Sequence, residues 1–404
     1  MKKNTIDIKK YKILIPDMLP NHFRLICYAL KRDGYDLELL TSQGRHIVDE
    51  GLKNVHNDAC YPALLVVGQF MDALQSGKYD LNNTALLISQ TGGGCRASNY
   101  IYLIRKAVAA KYPQVPVFSL NFQGIDDYSL RFSIGSLMRV AYSCLYGDLI
   151  MSLYNQCKPY ETVSEASDKA REKALSFVMK ACDSSSFLKY KHVCSAITDC
   201  FREVPLGGKK KTKVGIVGEI YVKYSPLANN NLEKFLLGEN CEPELPGLTD
   251  FVLYCIANRF TDRKLYGKKG IDLLAYGFFY KMILSLEKKS DKILEKAGFA
   301  PFPDFEELRR LGDKVINQGV KMGEGWLIPA EMAYMAEHGT YNIVCAQPFG
   351  CLPNHIVGKG MVRKLREFYP DINIVAVDYD PGATKVNQEN RIKLMLALSE
   401  KNRD

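Results

Sequence analysis

Two hydrophobic periods alternate along this chain. Short apolar runs at 12–16 (KILIP), 36–40, 84–89 (TALLIS) and 115–120 predict strands. Between them, 21–32, 60–76 and 97–111 carry apolar residues at helical spacing. From 129 to about 204 the pattern is helical, with 161–182 charged on one face and apolar on the other. A strand at 214–219 (VGIVGE) restarts the alternation. Helices are expected at 231–238, across 271–296 as one or two pieces, and at 353–368. Strands are expected at 341–346 (YNIVCA) and 372–378 (INIVAVD). Strand–helix alternation of this kind predicts parallel sheets covered by helices on both faces. The expected fold is α/β, with two Rossmann-like domains at 1–128 and 207–404 bridged by a helical segment at 129–206.

Composition narrows the class. In 404 residues, 47% are hydrophobic and 25% charged, which is ordinary for a folded globular chain. The basic start (MKKNTIDIKK) has no apolar run behind it, and no window has the ~20 apolar residues of a membrane span. A cytoplasmic protein that binds no membrane is expected. The net charge of +9 is scattered except at Lys209-Lys210-Lys211-Thr212-Lys213, which follows Gly207-Gly208 and reads as a solvated linker. No basic stripe interleaved with aromatics marks a nucleic-acid surface. An acidic ligand such as a CoA thioester or a nucleotide is compatible with the charge.

Twelve cysteines form no CxxC pair and no disulfide ladder, so zinc-finger and thioredoxin readings are weak. Most should be small buried hydrophobes. Three stand apart. The strand 85–90 runs into Thr-Gly-Gly-Gly and Cys95, and the strand 343–347 runs into Pro-Phe-Gly and Cys351; a helix is expected after each. Both cysteines would lie at the carboxyl edge of a parallel sheet, where open α/β folds place ligands. Cys60 follows Asn57-Asp58 and precedes Tyr61-Pro62, another helix start. A helix start favours a thiolate, and Gly92, Gly93, Gly94 and Gly350 would let backbone N–H groups approach a bulky anionic group.

Alternatives stay open at this point. The triple glycine could serve a phosphate, although 92–96 lacks the GxxxxGK[ST] pattern. A nucleophilic cysteine would want a histidine, and His56 and His355 lie near Cys60 and Cys351 in sequence. Gly215–Gly218 falls short of a dinucleotide fingerprint. Glu219 and Tyr221 follow a strand end and are polar-site candidates. Cys345 reads as core, Asp378, Asp380 and Arg391 as structural pairing, and Glu331 and Glu337 as surface.

At these residues the chain resembles a known family. The stretches HNDACYPALLVVGQF, TGGGCRASNY, VGEIYVKYSPLANNNLEKFL, EGWLIPAEM, QPFGCLPNHIVGKG and DYDPGATKVNQENRIKLML look like the 2-hydroxyacyl-CoA dehydratase family, in its activase-related branch. The resemblance runs from about residue 55 to 396. It implies two Rossmann-like domains with an iron–sulfur cluster, most simply [4Fe-4S], held at their cleft by Cys60, Cys95 and Cys351, with one iron open. It further implies oxygen sensitivity and a separate ATPase activase, carrying its own cluster, that delivers a low-potential electron. The substrate would be an acyl-CoA, reduced to a ketyl radical so that its 2-hydroxyl can leave. Glu219, Tyr221 and His355 would stand nearest to it. A homodimer, or a heterodimer with a related subunit, is expected by analogy.

The chain departs from parts of the pattern. No activase domain precedes the cluster region. Only Cys27, Cys144 and Cys345 could contribute to a second triad of the kind a double-cubane reductase needs. A non-catalytic electron-transfer or scaffold subunit would use the same three cysteines. A metal-free thiol or phosphate-binding protein would use Cys95 as a reactive thiolate.

Overall fold

The computed structural model describes residues 7–56, 58–90, 94–121, 133–268, 270 and 272–401. They fall into two compact units, 1–143 and 144–404, whose boundary lies inside the helix Ile134–Cys157. The Gly-Lys stretch at 207–211 lies within the second unit and leads directly into a strand.

In the first unit, β1 (Lys12–Pro16), β2 (Asp36–Leu40), β3 (Thr84–Gln90) and β4 (Val117–Asn121) form a parallel sheet in the order β2-β1-β3-β4. Ile13 pairs with both Leu37 and Ala85. Its side chain is fully buried, with Leu30, Tyr35, Leu87 and Phe118 in the same core cluster. Central parallel strands buried on both faces need such apolar runs. Helix Tyr61–Gln75 is apolar on nearly every side and almost wholly buried. Glycine lets it touch helix Arg45–Asn54: a Cβ at Gly68 would stand 2.1 Å from the Ile47 carbonyl oxygen, and one at Gly51 2.3 Å from that of Leu64. That contact fixes the helix whose start carries Cys60.

The second unit repeats the plan. β5 (Thr212–Gly218), β6 (Cys241–Glu244), β7 (Asn342–Pro348) and β8 (Asn373–Tyr379) are parallel in the order β6-β5-β7-β8. Each unit therefore has its first strand between its second and third. The crevice at the carboxyl ends of those inner strands is where such sheets bind ligands. A core cluster of Val217, Ile328, Met332, Ile343 and Leu365, with their neighbours, joins β5 and β7 to helix Leu327–Glu337.

Several local expectations are corrected. Strand β6 was missed because Pro243 interrupts its pattern; as an edge strand, β6 tolerates a residue without an N–H. The helix expected at 353–368 is broken into Leu352–Val357, a 3-10 turn Lys359–Met361 and Val362–Phe368, with Gly358 at the break. The span 271–296 is a single helix, Asp272–Ala297. Glu331 is 2% exposed rather than on the surface, because its helix is packed on all sides. Cys345 is buried mid-strand, as expected. Among the described residues, no helix is long and apolar enough to cross a membrane.

Candidate functional site

In the second unit the site is built where β5 and β7 end. Gly218 has φ 134°, and a Cβ there would lie 1.8 Å from the carbonyl oxygen of its pairing partner Ala346, so glycine alone permits this close approach. The chain then turns into the short helix Ile220–Tyr224. Glu219 caps it, Oε2 accepting from the Val222 N–H at 2.8 Å, and its own N–H donates to the Ala346 carbonyl at 3.0 Å. Tyr221 is buried within the same helix.

Glu324 connects this turn to the end of β7. Its Oε1 accepts from the Ile220 N–H at 3.0 Å, and its Oε2 accepts from Asn354 Nδ2 at 3.2 Å. Asn354 Nδ2 also lies 3.3 Å from Cys351 Sγ. Cys351 itself follows Gly350, whose φ of 70° supplies the turn, and precedes helix Leu352–Val357. Sequence reading found Glu219 and Cys351 but missed Glu324 and Asn354. Their role depends on a meeting of three separated segments, which no local pattern announces.

The electrostatics follow from burial. Glu219 is pushed up to about 8, first by loss of water and then by the nearby Glu324 charge. Glu324 is raised by burial, with the Ile220 N–H and Lys223 working against the shift. Cys351 is pushed up to about 12, mainly by burial and further by Glu219 and Glu324, while hydrogen bonding from Asn354 opposes. A helix start was expected to favour its thiolate, but the dipole of six residues is outweighed by desolvation. As a bare thiol, Cys351 is protonated at neutral pH and a poor nucleophile.

Lys223, 3% exposed, donates to Glu331 Oε1 at 3.0 Å, and its charge also acts on Glu219, Glu324 and Asp250. His355 joins a different polar group. Its Nδ1 lies 2.8 Å from the Cys351 carbonyl oxygen and its Nε2 3.6 Å from Asp378 Oδ1. Lys359 and Gln347 hold Asp378 at 2.6 and 2.7 Å and draw its carboxyl below the usual range against the cost of its burial. His355 thus fixes the turn around Cys351 through the backbone. Phe349, Leu352 and Ile356 are exposed beside Cys351.

In the first unit, Cys60 and Cys95 are half-buried and each immediately precedes a helical turn, Tyr61–Gln75 and the 3-10 turn Arg96–Asn99. Arg96 Nη1 donates to the Asp58 carbonyl oxygen at 2.6 Å, tying the two cysteine-bearing segments together. His56 engages Asp58, its Nδ1 accepting from the Asp58 N–H at 3.2 Å. Gly94 is exposed, while Gly92, Gly93 and Asn57 lie outside the described residues. Among the described residues, no group of three or more His, Cys, Asp and Glu side chains is placed to hold a metal ion. Compared with known proteins, the chain matches no family model and no curated protein.

Proposed function

We propose that the chain is an iron–sulfur redox protein of the 2-hydroxyacyl-CoA dehydratase type, cytoplasmic, with two Rossmann-like halves and Cys60, Cys95 and Cys351 as cluster ligands. The observation that carries the reading is the shared setting of the three cysteines. Each is half-buried and each is the residue before a helical turn. Seven of the other cysteines are buried. A soft thiolate donor set of this kind suits an iron–sulfur centre. The raised Cys351 thiol argues against a free nucleophile at neutral pH.

When bound, the cluster would supply a low-potential electron and an open iron as Lewis acid, with a separate ATPase activase as the electron source and an acyl-CoA as substrate. The residues of this chain do the rest. Glu219 keeps a proton at neutral pH. With Oε2 accepting from the Val222 N–H, the protonated carboxyl would be the donor to a departing hydroxyl. Asn354 and Glu324 hold Cys351 and the Glu219 turn in one arrangement. Phe349, Leu352 and Ile356 offer apolar surface to an acyl chain. Gly94 and Gly350 keep bulk away from the cysteines beside them.

The test is iron and acid-labile sulfide content, with an EPR spectrum, on protein purified without oxygen, comparing wild type with Cys95→Ala. About four irons and four sulfides per chain, lost in the variant, are expected of a single [4Fe-4S] centre. About eight would indicate a double cubane. Iron-free wild-type protein would overturn the proposal.

A further inference from the structure

The sulfur of Cys351 has a hydrogen-bond donor of its own. Asn354 lies one turn further along, within helix Leu352–Val357, on the same side as the cysteine. It is fully buried, and its Nδ2 stands 3.3 Å from Cys351 Sγ.

Glu324 decides which end of that amide faces the sulfur. Its Oε1 accepts from the Ile220 backbone N–H at 3.0 Å, a group that can only donate. Its Oε2 is 3.2 Å from Asn354 Nδ2. A carboxylate oxygen accepts, so the amide must turn its nitrogen toward Glu324, and the second N–H of that nitrogen is left for Cys351. The other end of the amide gains nothing. Asn354 Oδ1 is buried with no hydrogen-bond partner among the described residues. An unpaired buried acceptor costs about 1–3 kcal/mol, and a leucine of similar volume would carry no such cost. Packing alone therefore does not account for an amide at this position, whereas donation to the sulfur does.

We propose that Asn354, through its N–H on the Cys351 sulfur, raises the reduction potential of the bound iron–sulfur centre, and that Glu324 is the positioning residue that holds the amide in this sense. The inference rests on the reading of Cys351 as a cluster ligand. A donor on a ligand sulfur draws off negative charge, and the reduced centre carries one more negative charge than the oxidised one, so the donor favours the reduced state. Groups that touch a ligand rather than the metal tune metal centres in this way. His355 does not share the task, because it meets Cys351 at the carbonyl oxygen and not at the sulfur.

The two residues make opposite demands on a substitution, and that separates donation from bulk charge. Asn354→Leu removes the donor and keeps the volume. Glu324→Gln keeps the volume and removes a carboxyl group. Its Oε1 must still accept from Ile220, so its new NH2 group would face Asn354, turn the amide over and take the N–H away from Cys351. Loss of donation lowers the potential, whereas loss of a negative charge by itself would raise it.

The experiment is an anaerobic redox titration of the full chain followed by EPR, with iron content measured on each sample. Asn354→Leu should shift the one-electron equilibrium toward the oxidised state at least about tenfold, which is about 59 mV downward. Glu324→Gln should also move the midpoint down. Should Asn354→Leu lose its iron, the sign found for Glu324→Gln decides. An unchanged or raised midpoint in an iron-loaded variant would overturn the proposal and leave the cluster reading standing. Iron loss from both variants would overturn it too, since Asn354 and Glu324 would then support the fold of the site and tune nothing. Iron-free wild-type protein would overturn the cluster reading and this proposal with it.

Discussion

Asp17 stands just beyond β1, as Glu219 stands just beyond β5, and its N–H donates to the Leu40 carbonyl of the neighbouring strand at 3.2 Å. Burial pushes its carboxyl up to about 6, with the Leu19 N–H and Arg24 acting against the shift, and its Oδ1 has no hydrogen-bond partner among the described residues. The native state therefore holds this proton more tightly than the unfolded chain does. Below about pH 4 both states are protonated and the group is neutral in effect. As pH rises from there to about 6, the unfolded chain ionises first and stability falls, by an order of ~2–3 kcal/mol, remaining low above that. Asp17→Asn is expected to raise the thermal midpoint at neutral pH and to leave it nearly unchanged near pH 4. Equal shifts at both pH values would refute the account. Not all such residues can be read from sequence. Cys60, Cys95 and Cys351 announce themselves through the prolines and glycines around them. Glu331 does not, because the lysine that makes its burial tolerable lies 108 residues earlier.

At the scale of elements, the close approach of β5 and β7 at their carboxyl ends depends on Gly218. An alanine there would need both a left-handed backbone and a Cβ inside the van der Waals radius of the Ala346 oxygen. Gly218→Ala should destabilise the chain by more than ~4 kcal/mol or prevent folding. Gly238→Ala, at a helix end with open space around it, should change stability by less than ~1 kcal/mol. Urea denaturation of the two variants checks the contrast, and similar losses in both would defeat it. The strands with strong apolar runs were legible because burial on both faces demands them. Strand β6 was not, since Pro243 and two glutamates hide an edge that needs little apolar content. The break at Gly358 was also hidden: a Cβ there would meet the Cys345 sulfur of β7 at 3.0 Å, a tertiary reason that periodicity cannot carry.

Over the whole molecule, parallel sheets and a two-part organisation were legible from the alternation of strand and helix. Where one part gives way to the next was not, since the boundary falls within a continuous helix and no change of composition marks it. The Gly-Lys run draws attention instead, yet it is a loop inside the second unit. Its flanks are held there by the Thr162 N–H to the Pro205 carbonyl at 2.9 Å and the Lys211 N–H to Tyr160 Oη at 3.1 Å. Trypsin under native conditions should cut first after Lys209 or Lys210, which are exposed. The fragments should then stay together on size exclusion and separate only in denaturant. Fragments that part without denaturant would mark this loop as a linker between independent pieces.

Lys223, the one buried lysine among the described residues, has a consequence for how such chains diverge. Its charge is felt by Glu219, Glu324, Glu331 and Asp250 together. A lineage that replaced it with an apolar residue and kept Glu331 would strand a carboxylate in the core, at a cost few folds survive. The two positions are therefore bound to drift as a pair. Across aligned descendants they should stand out as correlated columns, an imprint of a contact that neither neighbourhood in the sequence betrays.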